Sequence, residues 1–222
     1  MSKIFKISKK ISKGFDRDID YEPMKNQLIN EFNKHSKDYL EKKYITRVGN
    51  KVVYTLISMI QLRNGSRISE AVNAFKSFIE NGVNEKVMIK IAKSGGIKYK
   101  YIKNGHETAI RKKVQTKERY RKMMFPESWI EKDLLEKVLN KLKITHLKFI
   151  NSNGMRQKMF KFMSRNLKSN THSLRYAFIN YMIYDQKRPL NDVAKFVGHV
   201  NVGQLVTYTQ QKKCDQIFDL DI

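Results

Sequence analysis

The chain has 222 residues, enough for one domain or for one large and one small unit, and 41% of them are apolar, with 12 Phe and 11 Tyr to build a core. Its 45 Lys and Arg against 21 Asp and Glu give a formal charge of +24. Such an excess opposes a compact fold by self-repulsion unless a polyanion neutralises it, and nucleic acid fits better than an anionic membrane. No apolar run approaches the ~18 residues of a membrane span. Residues 1–13 lack the apolar stretch of a signal peptide, and the single cysteine, Cys214, excludes an internal disulfide framework and a cysteine-based metal site. The composition predicts a soluble protein of the cell interior, cytoplasmic in a prokaryote or inside a host cell, with no membrane partner.

In chain order, residues 1–44 read as a basic N-terminal arm and a helix, with Met24, Leu28, Phe32 and Tyr39 or Leu40 at helical spacing. Val52, Val53, Leu56, Met59, Ile60 and Leu62 predict a helix buried on most sides. Ile68, Val72, Phe75 and Ile79 step by three and four, and Asn81-Gly82 ends that helix. The period then changes to two over 87–91 and again over 97–101, with Ser94-Gly95-Gly96 between. Strand, glycine turn and strand predict a hairpin. Residues 103–122 are basic and less regular, 121–125 read as a further strand, and Pro126 stops it. Helical stripes follow at Trp129 or Ile130 to Leu142, at Met155 to Leu167, at Tyr176 to Ile183, and at Val193 to Val197. The expected class is mainly α with a small antiparallel β-sheet (α+β).

Charge is unevenly spread. Between Lys137 and Tyr184 there are ten Lys or Arg and no acid, and between Lys86 and Lys122 thirteen against Glu107 and Glu118 alone. A solvated helix face usually mixes signs, so acid-free spans of this length favour a surface that tracks phosphates.

Three short motifs stand against this background. Asn64-Gly65-Ser66-Arg67-Ile68-Ser69-Glu70 puts an arginine at a helix start, where free N–H groups and the helix dipole add positive potential. Glu70, one turn on, reads as a structural group rather than an acid. His172 and Arg175 are three apart and share a helix face, with Asn170 or Thr171 as the cap. Gly198-His199 suits a helix C-terminus, and Tyr208 follows nine residues after His199.

The order Arg67, His172-x-x-Arg175, Gly198-His199, Tyr208 resembles the tyrosine recombinases, the phage integrase family. Asn-Gly-Ser-Arg-Ile-Ser-Glu is similar to the first recombinase box, Thr-Gly-x-Arg-x-x-Glu. Tyr176 stands where the second box often carries another histidine, and Gly203-Gln204 replaces a common Thr-Thr. The resemblance implies that family's catalytic-domain architecture over 45–212 and a C-terminal tail, 213–222, exchanged between subunits. The residues before 45 leave no room for the family's usual helical DNA-clamping domain. It further implies a site-specific recombinase or integrase that cuts and rejoins double-stranded DNA as a homo-tetramer through a covalent 3′-phosphotyrosine, without a cofactor and within a mobile element. Arg67 and Arg175 would hold phosphate oxygens, which a planar guanidinium does without losing its proton. His172 and His199 would complete the site, and Tyr208 would be the nucleophile. A lysine in the turn of the small sheet would be the general acid. Lys93 falls at that place, with Lys98, Lys100, Lys112 and Lys113 as alternatives. Two rival readings are a type IB topoisomerase, in which lysine usually replaces the histidine of His-x-x-Arg, and a catalytically silent DNA-binding protein.

Overall fold

The structure, a computed structural model, describes residues 19–41, 46–83, 86–92, 94, 96–103, 109–145, 154–199, 202, 203 and 205, with the backbone alone for 96–103, 109–114, 144 and 145. Lys93 and Tyr208 lie outside the described residues.

At the centre is helix α2 (Thr46–Asn64), whose residues from Val52 to Leu62 are all buried. A helix apolar on every side is stable only when other elements cover it. Here α1 (Tyr21–Glu41) lies along it with Leu28 and Phe32 fully buried, and α3 (Ile68–Asn81) along another side with Ala71, Ala74, Phe75 and Phe78 turned inward. Each such aliphatic or aromatic side chain removed from water is worth roughly 1.5–3 kcal/mol. The helical periods predicted for this half of the chain match the structure. Among the described residues no helix is long and apolar enough to cross a membrane.

The β region differs from the predicted hairpin. Strand β1 (Val87–Lys90) pairs antiparallel with β4 (Tyr120–Met123), in the register Val87 to Met123 and Ile89 to Arg121. Strand β2 (Gly96–Lys103) pairs instead with β3 (Ala109–Thr116), so one two-stranded ladder is inserted between the strands of the other. Residues 109–116, irregular by sequence, are therefore a strand. Two interactions explain why β1 does not fold back on β2. Ile91 N–H donates to the Arg119 carbonyl at 2.8 Å, and Ser94 Oγ both donates to that carbonyl and accepts from Arg119 N–H, each at 3.1 Å. The backbone leaving β1 is thus satisfied by the approach to β4. The β1–β4 pair also buries Val87, Ile89 and Met123 against the core, a gain that alternation along one strand does not reveal.

Beyond Pro126 a single 3₁₀ turn, Glu127–Trp129, leads into α4 (Lys132–Thr145), which packs on α1. The rest comprises α5 (Met155–Asn166), α6 (Thr171–Asn180), a wide π turn at Tyr181–Asp185, and α7 (Leu190–Val197). Helix α6 packs against α2, which carries the second half of the chain to the C-terminal end of the central helix.

Candidate active site

The site is built around the turn that ends α2. Gly65 has φ +53°, the left-handed region that glycine enters without penalty, and a Cβ there would lie 2.3 Å from Phe178 Cδ1. No other residue lets the turn lie this close to α6. The turn is tied down on several sides. Asn64 Nδ2 donates to the Met124 carbonyl at 2.8 Å, and its Oδ1 accepts from Met124 N–H at 3.0 Å. Gln61 Nε2 donates to the Ser66 carbonyl at 3.0 Å and to the Thr171 carbonyl, joining the turn to the start of α6.

Arg67 follows as the N-cap of α3. Glu70, 1% exposed, accepts from the Arg67 backbone N–H and from Arg67 Nη1, both at 3.2 Å. These two bonds to one carboxylate fix the first turn of the helix and the direction of the guanidinium together. The same carboxylate accepts from Ala92 N–H at 2.9 Å, next to Lys93 in sequence, and lies 3.7 Å from Arg121 Nη1. Glu70 is therefore a structural group, as its sequence position suggested.

Asn170 caps α6, its Oδ1 accepting from His172 N–H at 2.9 Å and from Ser173 N–H at 3.0 Å. His172 and Arg175 thus share one helical face, as expected. His172 is half-buried, and Arg175 is fully buried. Arg175 Nη1 donates to the Gly65 carbonyl at 2.6 Å and Nη2 to the Val197 carbonyl at 3.0 Å. One side chain on α6 so joins the turn before Arg67 to the end of α7. That end is closed by Gly198 at φ +78°, where a Cβ would meet Ile91 Cδ1 at 3.0 Å. His199, 7% exposed, follows it with its backbone N–H donating to the Ala194 carbonyl at 2.8 Å.

The fold therefore brings Arg67, Arg175 and His199 together from three separate helix ends, with His172 on the same face of α6 as Arg175. It adds a residue that sequence reasoning missed. Arg121 on β4 is 6% exposed, and its Nη2 donates to the Asn64 carbonyl. The signal was present in the alternation of β4, where Arg121 shares the buried face with Met123. An arginine on a core-facing strand position requires a partner.

Arg67 and Arg121 accordingly flank the Glu70 carboxylate, and Arg175 lies close enough to Arg121 and His199 to act on both. Burial holds the Arg121 guanidinium down at about 10, against the raising effect of Glu70, so it is cationic at neutral pH. His199 is pushed down to about 4, first by burial and then by Arg175, Arg67 and Arg121, so its imidazole is neutral. The three guanidiniums outnumber the one carboxylate among them, and Arg67 is the one whose side chain keeps exposed surface. Of the lysines considered by sequence, Lys100 pairs with Lys112 and Tyr99 with Lys113 in the β2–β3 ladder, while Lys98 faces Val114.

Comparison with known proteins gives the family. The chain is 39% identical over 217 residues to a protein named "Putative integrase V10" of the Sputnik virophage, covering 96% of this chain and 92% of that one. The chain belongs to the tyrosine recombinase (integrase) family. A protein named "Putative integrase ORF241" of Acidianus two-tailed virus is 29% identical over 212 residues, covering 93% of this chain and 70% of that one. No protein-family model matches. Among solved structures, the XerH site-specific recombinase bound to its difH substrate is similar with a TM-score of 0.49 and 17% identity, over 98% of this chain. The chain spans 57% of the length of that recombinase chain. In this integrase the stretch that resembles the first box forms the Asn64–Glu70 turn and cap, His172-x-x-Arg175 lies on one face of α6, and Gly198-His199 is the end of α7.

Proposed function

We propose that this integrase is a site-specific recombinase that cuts and rejoins double-stranded DNA through a 3′-phosphotyrosine, with Tyr208 as the nucleophile and residues 45–212 as the catalytic unit. The observation that supports this most is the cluster itself, in which Arg67 and Arg121 flank the Glu70 carboxylate, Arg175 lies beside them, and burial together with the three guanidiniums holds His199 neutral. An in-line displacement at phosphorus concentrates charge on the equatorial oxygens. Donors fixed in advance, at a site shielded from water, stabilise that charge without having to reorganise.

In the proposed reaction the Tyr208 oxygen forms a bond to the scissile phosphorus as the bond from phosphorus to the 5′ oxygen breaks. The phenol proton passes to the His199 imidazole, which burial and the arginines keep neutral, or to His172, and Lys93 gives a proton to the departing 5′ oxygen. The phosphoester retains the bond energy, so a 5′ hydroxyl from another strand reverses the step without ATP. Strand exchange calls for four copies on two duplexes, and residues 213–222 are proposed to pass between neighbours.

The electropositive groove between α2 and α5 fits the same reading. It encloses about 330 Å³ and carries Arg47, Lys51, Lys158, Lys161 and Arg165 over a floor of Tyr54 and Phe162, with no Asp or Glu among its lining residues. Lys51 and Asn64 are thirteen residues apart on α2, about 20 Å at the helical rise of 1.5 Å per residue. At about 3.4 Å per phosphate along one strand, that is roughly six phosphates from the cluster.

The test is incubation with duplexes carrying the ends of the genetic element that encodes the chain, followed by a denaturing gel. We expect a protein–DNA adduct that Tyr208→Phe abolishes while DNA affinity stays within about threefold, since only a hydroxyl is removed. An adduct formed by the Phe variant would assign the nucleophile to another tyrosine. Relaxation of supercoiled DNA of random sequence would favour a topoisomerase instead.

A further inference from the structure

We infer that Arg121 is a positioning residue of this site, holding the Asn64–Gly65 turn, the Glu70 carboxylate and helix α7 in one arrangement and so fixing Arg67 relative to His199. The inference rests on the reading of the cluster as a recombinase active site.

A ring of interactions closes around the turn. Arg121 Nη2 donates to the Asn64 carbonyl, and the guanidinium carbon lies 5.5 Å from the centre of the Phe196 ring on α7. Phe196 in turn stacks on Phe178 at 5.5 Å with 23° between the rings, and Phe178 is the ring pressed against Gly65. The loop thus returns to the residue beside Asn64. One further interaction leaves the ring, from Arg121 Nη1 to Glu70 Oε2 at 3.7 Å, and Glu70 is the group that grips Arg67.

Removing the arginine would release three elements at once: the turn, the carboxylate and α7. A role in stability alone explains the position poorly. An apolar side chain often replaces a buried ion pair with no loss of stability, so an arginine serving only as core filler has little advantage there. Its Nε has no hydrogen-bond partner among the described residues, which is a poor arrangement for a group present only to be satisfied. A lysine cannot substitute fully, because its single ammonium cannot reach the Asn64 carbonyl and the Glu70 carboxylate with the same planar fork.

A double-mutant cycle on single-turnover cleavage tests the inference, using nicked duplexes from the element's ends at saturating protein. Arg121→Met keeps most of the volume and removes the charge and the donors. It is expected to slow adduct formation about tenfold or more, with DNA affinity within about threefold. Because Arg121 acts through Arg67, the Arg121→Met, Arg67→Ala double variant is expected to be no more than about twofold slower than Arg67→Ala alone. Arg121→Lys should fall between wild type and Arg121→Met, and it serves as the single variant of the cycle if the Met variant does not fold. A wild-type rate in Arg121→Met, or a double variant slowed by the full product of the two singles, would overturn the inference while leaving the recombinase reading intact. No adduct from the wild-type protein would overturn both.

Discussion

The arginine cluster and the groove between α2 and α5 both gather cations, yet they are built in opposite ways. In the cluster Arg175 and Arg121 are almost wholly buried, and Arg121 Nη2 and both Nη atoms of Arg175 donate to backbone carbonyls at the Asn64–Gly65 turn and at Val197. The groove leaves Arg47, Lys161 and Arg165 exposed, with nothing acidic in its lining. Buried donors fixed by the fold act strongly on a charge that develops at one point, because local dielectric is low and reorganisation is already done. Exposed lysines and arginines act on any phosphate within reach, and salt screens them. On the proposed function the same two residue types serve rate in one region and affinity in the other.

The largest expected effect breaks the first side of this comparison. Arg67→Ala and Arg175→Ala should each slow cleavage by at least about a hundredfold through weaker transition-state stabilisation. They should differ in stability. Arg175 is fully buried and bridges the Gly65 and Val197 carbonyls, whereas the Arg67 side chain is 19% exposed at a helix start. Thermal unfolding of both variants separates the two, and equal melting temperatures would show that the Arg175 bridge carries no structural load.

A smaller effect is expected from Gly65→Ala. The new methyl would press on Phe178 at a positive φ, so we expect a loss of about 2–3 kcal/mol in urea unfolding and a further loss of cleavage as Arg67 shifts. Combining it with Phe178→Leu should recover part of the stability. No recovery would mean that the strain lies in the backbone and not in the clash with the ring.

The groove sharpens the other side. Neutralising Lys158 and Lys161 by Gln should lower the slope of log affinity against log salt by about 0.9 for each phosphate that the variant no longer neutralises. Single-turnover cleavage at saturating protein should stay within about twofold. A changed cleavage rate with an unchanged salt slope would reverse the roles of the two regions.

The smallest effect is a pH dependence. His199 has a folded-state value of about 4, below the ordinary 6.5 of an imidazole. Between those values the unfolded chain binds more protons than the native one, so His199 contributes stability above pH 6.5 that is lost as pH falls toward 4. Urea midpoints at pH 7.5 and pH 5 should fall further for the wild type than for His199→Gln, in which that position does not titrate. Parallel losses would show that His199 lies in a more solvated setting. Bound DNA should oppose the shift, since phosphate charge offsets the three arginines, and the histidine resonances would report this directly.

Much of the site was legible in the sequence because its parts are local. Asn64-Gly65 before an amphipathic stripe marks a turn and a helix start, three-residue spacing puts His172 and Arg175 on one face, and Gly198 marks a helix end. Each depends on backbone preferences that act within a few residues. The helices of the core were legible for the same reason, through the stepping of Val52 to Leu62 and of Ile68 to Ile79. Tertiary structure alone decided the partners of the strands. Residues 87–91 and 97–101 alternate equally well, so local pattern favoured pairing neighbours, and burial of Ile89 and Met123 in the core selected β4 for β1 instead. That choice brought Arg121 out of a run of basic residues and under the Asn64 carbonyl. It also placed Glu70 between two arginines and the end of β1, through interactions that span from three to 57 residues of chain and leave no periodic trace in it.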